Sequence, residues 1–340
     1  MAESQRLKFL DVARGICIIC IILGHFEQDA IIRVVFTFHV PVFYLITGYF
    51  TTDKRDFGDY VKAKFRTLVV PYLITSLFII VIRSIIGALS GDMLSELSKW
   101  SVICLVGNGC PVEFGSLWFD GVGPIWFLLA SFIGSILLRA LLSLSPIKRS
   151  VYVLAFFMIG YLSVGYVYVP FSIQAGLVSV LFMYLGYLYR SAQDSILSLG
   201  KEIKAAFVIF ATAIWICFIK HFTMFMLVTV EIGKVPEDII ASIFASCVVI
   251  ILSVFISEKL PRIAGFFSYF GKFSLLVLCI HAIEFKCIDQ EEVLAKLQST
   301  GMSFVAALMV NIVVKLALIL GAAYAVSKIK AVRRIMGYRY

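Results

Sequence analysis

Apolar runs of roughly 17–25 residues, separated by polar connectors, recur along the whole of this chain. Runs of that length cross a bilayer as helices, whereas the strands of a membrane barrel would alternate polar and apolar residues over about ten positions. Hydrophobic residues make up 61% of the 340 and charged residues only 15%, against about a quarter charged in soluble domains. The sequence therefore predicts an all-α polytopic membrane protein.

We predict about ten membrane-spanning helices, with ends placed to within several residues. The predicted spans are 9–27, 34–51, 67–89, 124–142, 151–168, 171–189, 205–221, 238–257, 263–283 and 302–326. Segment 91–123 is the longest connector and contains the turn sequence Gly107-Asn108-Gly109, so we expect a loop there. No stretch has the composition of a separate soluble domain, and residues 1–340 are expected to form one transmembrane domain.

Positive charge orients the predicted helices, because basic residues concentrate in cytoplasmic connectors. With the N-terminus inside, the inner segments hold 20 of the 30 basic residues and the outer segments hold six. Both termini are therefore predicted to be cytoplasmic. The net charge of +9 follows from this topology and from contact with anionic membrane lipids, so no nucleic-acid partner is expected.

The eight cysteines do not have the pattern of a disulfide framework. Cys17 and Cys20 have the spacing of a redox or metal pair, but no second pair accompanies them, which favours buried apolar side chains. Cys104 and Cys110 lie in the expected loop and would pair if that loop faced an oxidising compartment. A zinc site needs three or four converging ligands, and with four histidines in the chain we predict no metal site.

The first predicted helix carries Arg14 and His25 on one face. At about 100° per residue, their separation of eleven positions returns to within roughly 20° of the same direction and rises roughly 16 Å. Ile18 and Ile21 would form an apolar wall between them. Such a face suits an extended acyl thioester with phosphates at one end and a reactive carbonyl at the other. The alternative is that Arg14 snorkels to the interface and His25 is a hydrogen-bonded interfacial histidine.

The second predicted helix adds His39, at a depth in the outer half of the membrane similar to that of His25, because the loop between the two helices is short. Two histidines can divide a proton transfer, since their unperturbed pKa lies near neutrality. Glu27 and His39 are both candidates to orient the His25 imidazole. His39 is equally well explained as a packing residue before the Pro41 kink.

Basic and aromatic residues beyond the second helix are further candidates. Lys62, Lys64 and Arg66 could bind the phosphates of a nucleotide-bearing cofactor, or they are the ordinary basic flank of a helix. Trp126 would wall a cavity or belong to the interfacial aromatic belt. Ionisable groups within or close to apolar spans usually line cavities or pathways. Besides Arg14, the basic residues in such positions are Arg83, Lys272 and Lys315, and Ser274 and His281 follow Lys272 in the sequence.

Several of these segments together resemble the acyltransferase-3 family of membrane acyltransferases. In family order they are Phe9-Leu10-Asp11-Val12-Ala13-Arg14-Gly15 continuing to His25 as Arg-x10-His, Phe38-His39-Val40-Pro41-Val42-Phe43 to Thr47-Gly48-Tyr49, Lys64-Phe65-Arg66 with Pro71-Tyr72, Gly123-Pro124-Ile125-Trp126-Phe127-Leu128, Phe182 to Tyr187, and Gly271-Lys272-Phe273-Ser274-Leu275 to His281. The resemblance covers nearly the whole chain. It departs from the family at Lys64, where arginine is frequent, and at Thr47, where serine is frequent.

The resemblance implies transfer of an acyl group, usually acetyl from cytoplasmic acetyl-CoA, to a hydroxyl of a sugar or glycan. It also implies that His25 is the essential catalytic residue and that Arg14 is its partner in the cofactor channel. The expected partners are a glycan or lipid-linked sugar acceptor and the lipids of the bacterial inner membrane. The oligomeric state stays open, with a homodimer among the alternatives.

Two other functions compete with acyl transfer. A transporter or flippase for a small polar metabolite or lipid-linked sugar would also contain many helices with buried basic residues. Against it, the intramembrane charges gather at the first helices, and no paired Gly/Pro-broken segments indicate inverted repeats. The third is a noncatalytic membrane partner in polysaccharide assembly, in which His25 would be replaceable.

Overall fold

The structure is a computed structural model that describes residues 3–114 and 117–337. Arg339, which the orientation count includes, lies outside the described residues. The helices are α1 (Glu3–Gly24), α2 (Asp29–Val35), α3 (His39–Phe50), α4 (Phe57–Lys64), α5 (Val70–Ser90), α6 (Met93–Val106), α7 (Trp126–Leu141), α8 (Pro146–Ser163), α9 (Ile173–Ser198), α10 (Lys201–Lys220), α11 (Glu237–Lys259), α12 (Pro261–Lys272), α13 (Ser274–Cys287), α14 (Gln290–Ser299), α15 (Phe304–Val326) and α16 (Lys330–Ile335).

Short non-α elements complete the described chain. A π-helical segment, Phe65–Val69, joins α4 to α5. Strands β1 (Val112–Phe114) and β2 (Leu117–Phe119) form one antiparallel hairpin, with Val112 opposite Phe119. Strands β3 (Phe225–Met226) and β4 (Glu231–Ile232) form another, with Phe225 opposite Ile232.

The helical content confirms the predicted class, an all-α polytopic membrane protein. Among the described residues, five helical segments are long and apolar enough to cross a membrane: 29–50, 57–90, 201–220, 237–259 and 304–326. A sixth is added if α12 and α13 count together. The number ten and the cytoplasmic location of the termini stay predictions.

The chain forms two compact units. The first consists of Met1–Lys62, Ala130–Val167 and Ile173–Lys272, and the second of Ala63–Leu129, Tyr168–Ser172 and Phe273–Tyr340. That residues 1–340 act as one transmembrane domain stays a prediction.

In the first unit, α1 and α12 cross with their backbones in direct contact. A Cβ atom added to Gly15 would collide with the carbonyl oxygen of Phe267, and one added to Gly271 would collide with that of Asp11. Small residues permit such close crossings between membrane helices, where dispersion contacts replace the hydrophobic effect as the driving force. These two motif glycines therefore have a packing role.

Close backbone contacts at glycines also join α3 to α9. A Cβ atom on Gly48 would collide with the carbonyl oxygen of Met183, and one on Gly186 with that of Leu45. The Thr47-Gly48-Tyr49 and Leu185-Gly186-Tyr187 motifs thus face each other through their glycines. This crossing fixes α3, which carries His39, within the unit.

Replacing Gly271 by alanine is expected to destabilise the protein by about 1–3 kcal/mol, because the methyl group must push two backbones apart. Gly265 on the same helix is the matched control, since a Cβ atom there meets nothing within 4 Å. Gly265→Ala is expected to be neutral or to stabilise by up to about 1 kcal/mol through helix propensity. Thermal unfolding in detergent measures both, and equal midpoints for the two variants would contradict the packing role.

In the second unit, α6 lies where a loop was predicted, so that prediction was wrong. Gly91 and Gly107 adopt left-handed backbone conformations that end α5 and α6. Between them Trp100, Ile103 and Cys104 recur at three- to four-residue spacing and form the buried face of α6 against α5. Gly91 and Gly107 therefore border a helix, and the second half of this segment holds the β1–β2 hairpin.

Arg83 is explained by that helix. Its guanidinium donates to Glu96 Oε2 at 3.0 and 2.7 Å, and the Trp100 indole donates to the same oxygen at 3.0 Å. Burial raises the pKa of the Glu96 carboxyl, but these donors outweigh burial, and the pKa lies below its usual value. Arg83 thus joins α5 to α6.

The predicted span 263–283 is interrupted at Phe273, which has φ −101° and ψ 19° and separates α12 from α13. Cys104 and Cys110, whose pairing the sequence left open, are both thiols. Cys104 is buried on α6 with its Sγ 3.9 Å from the carbonyl oxygen of Ser76, whereas Cys110 lies in the turn beyond that helix.

Candidate active site

His25 lies in the turn immediately after α1, whose last residue is Gly24. Its ring reaches back along the helix, and Nδ1 lies 2.7 Å from the carbonyl oxygen of Ile21. Because a carbonyl can only accept a hydrogen bond, Nδ1 must carry the hydrogen. In the neutral ring the lone pair then resides on Nε2, and this tautomer leaves Nε2 able to act as a general base.

His39, the first residue of α3, has the same arrangement. Its Nδ1 lies 2.5 Å from the carbonyl oxygen of Val35, four residues earlier, and its side chain is buried. The Phe36 ring connects the two histidine segments, since a Cβ on Gly24 would collide with that ring, and its centroid lies 5.0 Å from that of His39. The structure thus brings the His25 turn and the start of α3 against one shared aromatic side chain.

Glu27 is exposed and has a left-handed backbone, with φ 54°. The carbonyl of Ile21, rather than a side chain, occupies the Nδ1 side of His25. Any contribution of Glu27 or His39 to proton transfer would therefore act at the Nε2 side of His25.

Arg14 lies on α1, eleven positions before His25. The helix is continuous from Arg14 to Gly24, a rise of about 15 Å. Its guanidinium donates to Asp11 Oδ1 at 3.2 Å and lies 5.4 Å from the centre of the Phe50 ring. Its side chain remains 28% exposed. The expected apolar wall, Ile18 and Ile21, is buried.

Further cationic groups lie near Arg14 in the first unit. Tyr49, beside Phe50 on α3, donates its hydroxyl to Gln193 Oε1 at 2.8 Å. Arg190 donates to the carbonyl oxygen of Tyr49 at 3.1 Å and lies over the Tyr49 ring. Lys272 interacts electrostatically with Asp11. Residues of α1, α3, α9 and α12 therefore bring cations and aromatic rings together around Arg14 and Tyr49.

The other predicted cofactor residues are distributed between the two units. Lys62 belongs to the first unit and is exposed, near the end of α4. Lys64, Arg66 and Trp126 belong to the second, where Lys64 is half-buried, Arg66 is exposed in the π-helical segment and Trp126 is buried. Single-turn π-helical segments occur frequently at functional sites, which makes Arg66 the most notable of this group.

The second unit contains a buried polar network. Only two of its members, Lys315 and His281, were identified from the sequence. Lys315 Nζ lies 3.3 Å from Glu284 Oε2, and His281 Nδ1 lies 3.3 Å from the same oxygen. Gln290 donates to Glu284 Oε1 at 2.7 Å, and Asn311 donates to Gln290 at 3.3 Å. The network joins α13, α14 and α15.

Sequence reasoning missed Asp11, the Ile21 carbonyl and Glu284. Asp11 could have been found, because a carboxylate three residues before Arg14 lies on the same helix face. The spacing of Glu284 from His281 carries the same signal. The backbone partner of His25 has no side-chain signature and could be found only from coordinates.

Comparison with known proteins gives one match. The sequence model of an acyltransferase domain family matches residues 7–322, which is almost the whole chain and includes Arg14, His25, His39 and His281. No curated protein and no solved structure matches significantly. Over the described residues, no group of three or more histidine, cysteine or acidic side chains is arranged to hold a metal ion.

Proposed function

The chain belongs to the acyltransferase-3 family, and from this premise we propose that it moves an acetyl group from cytoplasmic acetyl-CoA to a hydroxyl of a sugar or glycan. Membership makes it a multi-pass membrane acyltransferase. The donor, the acceptor and a location in the bacterial inner membrane are the proposed parts. The proposed partner is a glycan or a lipid-linked sugar.

The observation that carries the proposal is the hydrogen bond between His25 Nδ1 and the Ile21 carbonyl. It supports the tautomer in which Nδ1 carries the hydrogen and Nε2 is the basic nitrogen of the neutral ring. We propose that Nε2 removes the acceptor hydroxyl proton as the oxygen attacks the thioester carbonyl. The new C–O bond replaces the C–S bond, and the imidazolium returns its proton to the leaving CoA thiolate.

The same Nε2 atom can instead act as the nucleophile and carry the acetyl group as a transient acyl-histidine. The reaction then divides into two steps, and its net balance is unchanged. Rapid-quench mass spectrometry of the protein with acetyl-CoA alone separates the routes. An added mass of one acetyl group on the peptide containing His25 identifies the second route.

The proposed binding of acetyl-CoA rests on positively charged side chains. The phosphates of acetyl-CoA require cations, and guanidinium groups form the strongest and most directional bonds to them. Arg14 keeps an accessible side chain on α1, and Lys62, Lys64 and Arg66 form the basic segment after α3. We assign Arg14 and Lys62 of the first unit to donor binding, whereas Lys64, Arg66 and Trp126, which belong to the second unit, stay sequence predictions.

The direct test is turnover by the purified full-length protein in detergent. Radiolabelled acetyl-CoA should be consumed and its label transferred to glycans isolated from the source membrane. A transporter or a noncatalytic partner would leave acetyl-CoA intact. Mass spectrometry of the labelled product identifies both the acceptor and the acetylated hydroxyl.

Replacing Arg14 by alanine is expected to raise the KM for acetyl-CoA about tenfold, because one charge-assisted phosphate contact is lost. The KM for the acceptor should stay unchanged. Arg262→Ala is the matched control, since Arg262 is an exposed arginine at the start of α12. An Arg14→Ala protein with the wild-type KM for acetyl-CoA would refute the donor assignment.

A further inference from the structure

A pocket of about 410 Å³ opens between the end of α8 and the β3–β4 hairpin, entirely within the first unit. Tyr161 and Leu162 line it from the last turn of α8, and Met224, Val230 and Glu231 line it from the hairpin region. This volume lies within the range of about 300–1,000 Å³ typical of small-molecule sites, and the pocket is open to solvent, not an enclosed cavity. The positive-inside distribution of charge predicts that both segments lie on the outer side of the membrane.

The outer pocket combines apolar and polar side chains, as the binding of a sugar ring requires. Leu162, Met224 and Val230 supply apolar surface for C–H groups, while the Tyr161 hydroxyl and the Glu231 carboxylate can bond hydroxyl groups. Among the described lining residues Glu231 alone is charged. A carboxylate without a lining cation repels phosphate, which disfavours an anionic lipid headgroup or the acetyl-CoA phosphates.

The hairpin wall is held in one conformation. Val230 is a buried, β-branched residue with φ 60°, a conformation that costs roughly 1–3 kcal/mol and persists only when its surroundings enforce it. The Gly233 N–H donates to the Met224 carbonyl at 2.9 Å, and the Lys234 N–H donates to Asp238 at 2.7 Å. Strained backbone of this kind clusters at binding sites.

Packed side chains connect the outer pocket with the histidine segments. The Phe225 ring of β3 lies 5.9 Å from that of Phe218 on α10, in an edge-on arrangement. One turn earlier on α10, the Trp215 indole donates to Thr37 Oγ1 at 2.8 Å. Thr37 lies two residues before His39. The pocket wall and the start of α3 are therefore fixed to the same stretch of α10.

We propose that the outer pocket binds an uncharged sugar ring of the acceptor, with Glu231 and Tyr161 bonding its hydroxyl groups. This inference rests on the proposed function, which requires a glycan to approach His25. It gives the acceptor a site separate from the cations of the donor end. It also predicts that the enzyme discriminates against anionic sugars at this position.

The test measures acetyl transfer to methyl glycosides of glucose, galactose, mannose and rhamnose, and to glucose 6-phosphate as the anionic counterpart. Glu231→Gln is expected to raise the KM for the accepted glycoside about tenfold and to leave the KM for acetyl-CoA unchanged. Tyr161→Phe should act in the same direction, and it retains the ring stacked on Phe157. Glu202→Gln, an exposed carboxylate on α10, is the matched control with wild-type values.

The outcomes separate the pocket from the proposed function. Wild-type acceptor KM in both Glu231→Gln and Tyr161→Phe would overturn the pocket, as would preference for glucose 6-phosphate. Consumption of acetyl-CoA with no methyl glycoside accepted would also overturn it, while leaving acyl transfer intact. No consumption of acetyl-CoA under any condition would refute the proposed function itself.

Discussion

Replacing His25 by alanine is expected to lower the rate of acyl transfer by about 10²–10⁴-fold, the usual contribution of a positioned general base. The reason is local, because the bond from Nδ1 to the Ile21 carbonyl leaves Nε2 as the basic atom of the ring. Steady-state transfer of radiolabelled acetyl groups by the purified variant measures the loss. Membrane insertion and thermal unfolding should stay close to wild type, since His25 lies in a turn and is only partly buried.

Two further variants separate catalysis from structure. His25→Asn places an amide N–H near the position of Nδ1, so the bond to the Ile21 carbonyl can persist while the base is removed. It should be as inactive as the alanine variant. His221→Ala removes an exposed histidine at the end of α10 and should keep full activity. An active His25→Asn protein would show that the hydrogen bond, and not the base, is what His25 supplies.

Hydropathy located the helices because each membrane-crossing segment must satisfy its backbone hydrogen bonds internally. Every predicted span contains a helix, for instance α11 at Glu237–Lys259 for the span 238–257. The loop prediction for segment 91–123 is wrong because polar residues and glycines indicate a loop only where no buried helix face accompanies them. The three-to-four spacing of Trp100, Ile103 and Cys104 was the better guide, since it indicates one buried helix face.

The sequence could not predict those contacts of the candidate site that join residues far apart in the chain. The spacing of Arg14 and His25 follows from helix geometry, and the continuity of α1 supports it. The contact of Tyr49 with Gln193 spans 144 positions and has no local pattern. The interruption at Phe273 lies in Gly271-Lys272-Phe273-Ser274, and the high hydropathy of the flanking segments concealed this local glycine, lysine and serine signal.

The glycines of the motifs show why a motif alone does not reveal a role. Gly48 and Gly186 lie next to Tyr49 and Tyr187 in segments that resemble motifs of the family, yet each one faces a carbonyl of the opposite helix. Their position is required by backbone approach, not by chemistry at the site. Only the coordinates separate these packing residues from His25 and Arg14.

The second large effect that we expect is a loss of stability when the buried polar network of the second unit is disrupted. Lys315 is 3% exposed and His281 is fully buried, and both meet the Glu284 carboxylate at 3.3 Å. Removing one member of a buried ion pair leaves an uncompensated charge, which typically costs about 3–5 kcal/mol. The pair itself need not stabilise the fold, because two charges lose their hydration when they are buried.

Lys315→Met is therefore expected to destabilise the protein by about 3–5 kcal/mol, and the double variant Glu284→Gln with Lys315→Met should recover most of that loss. Lys296→Met is the matched control, because Lys296 pairs with Glu292 at 2.6 Å while both side chains are more than half exposed. Its effect should stay below about 1 kcal/mol. Thermal unfolding of the four proteins in one detergent measures the series. A double variant no more stable than Lys315→Met alone would mean that charge compensation does not hold α13 and α15 together.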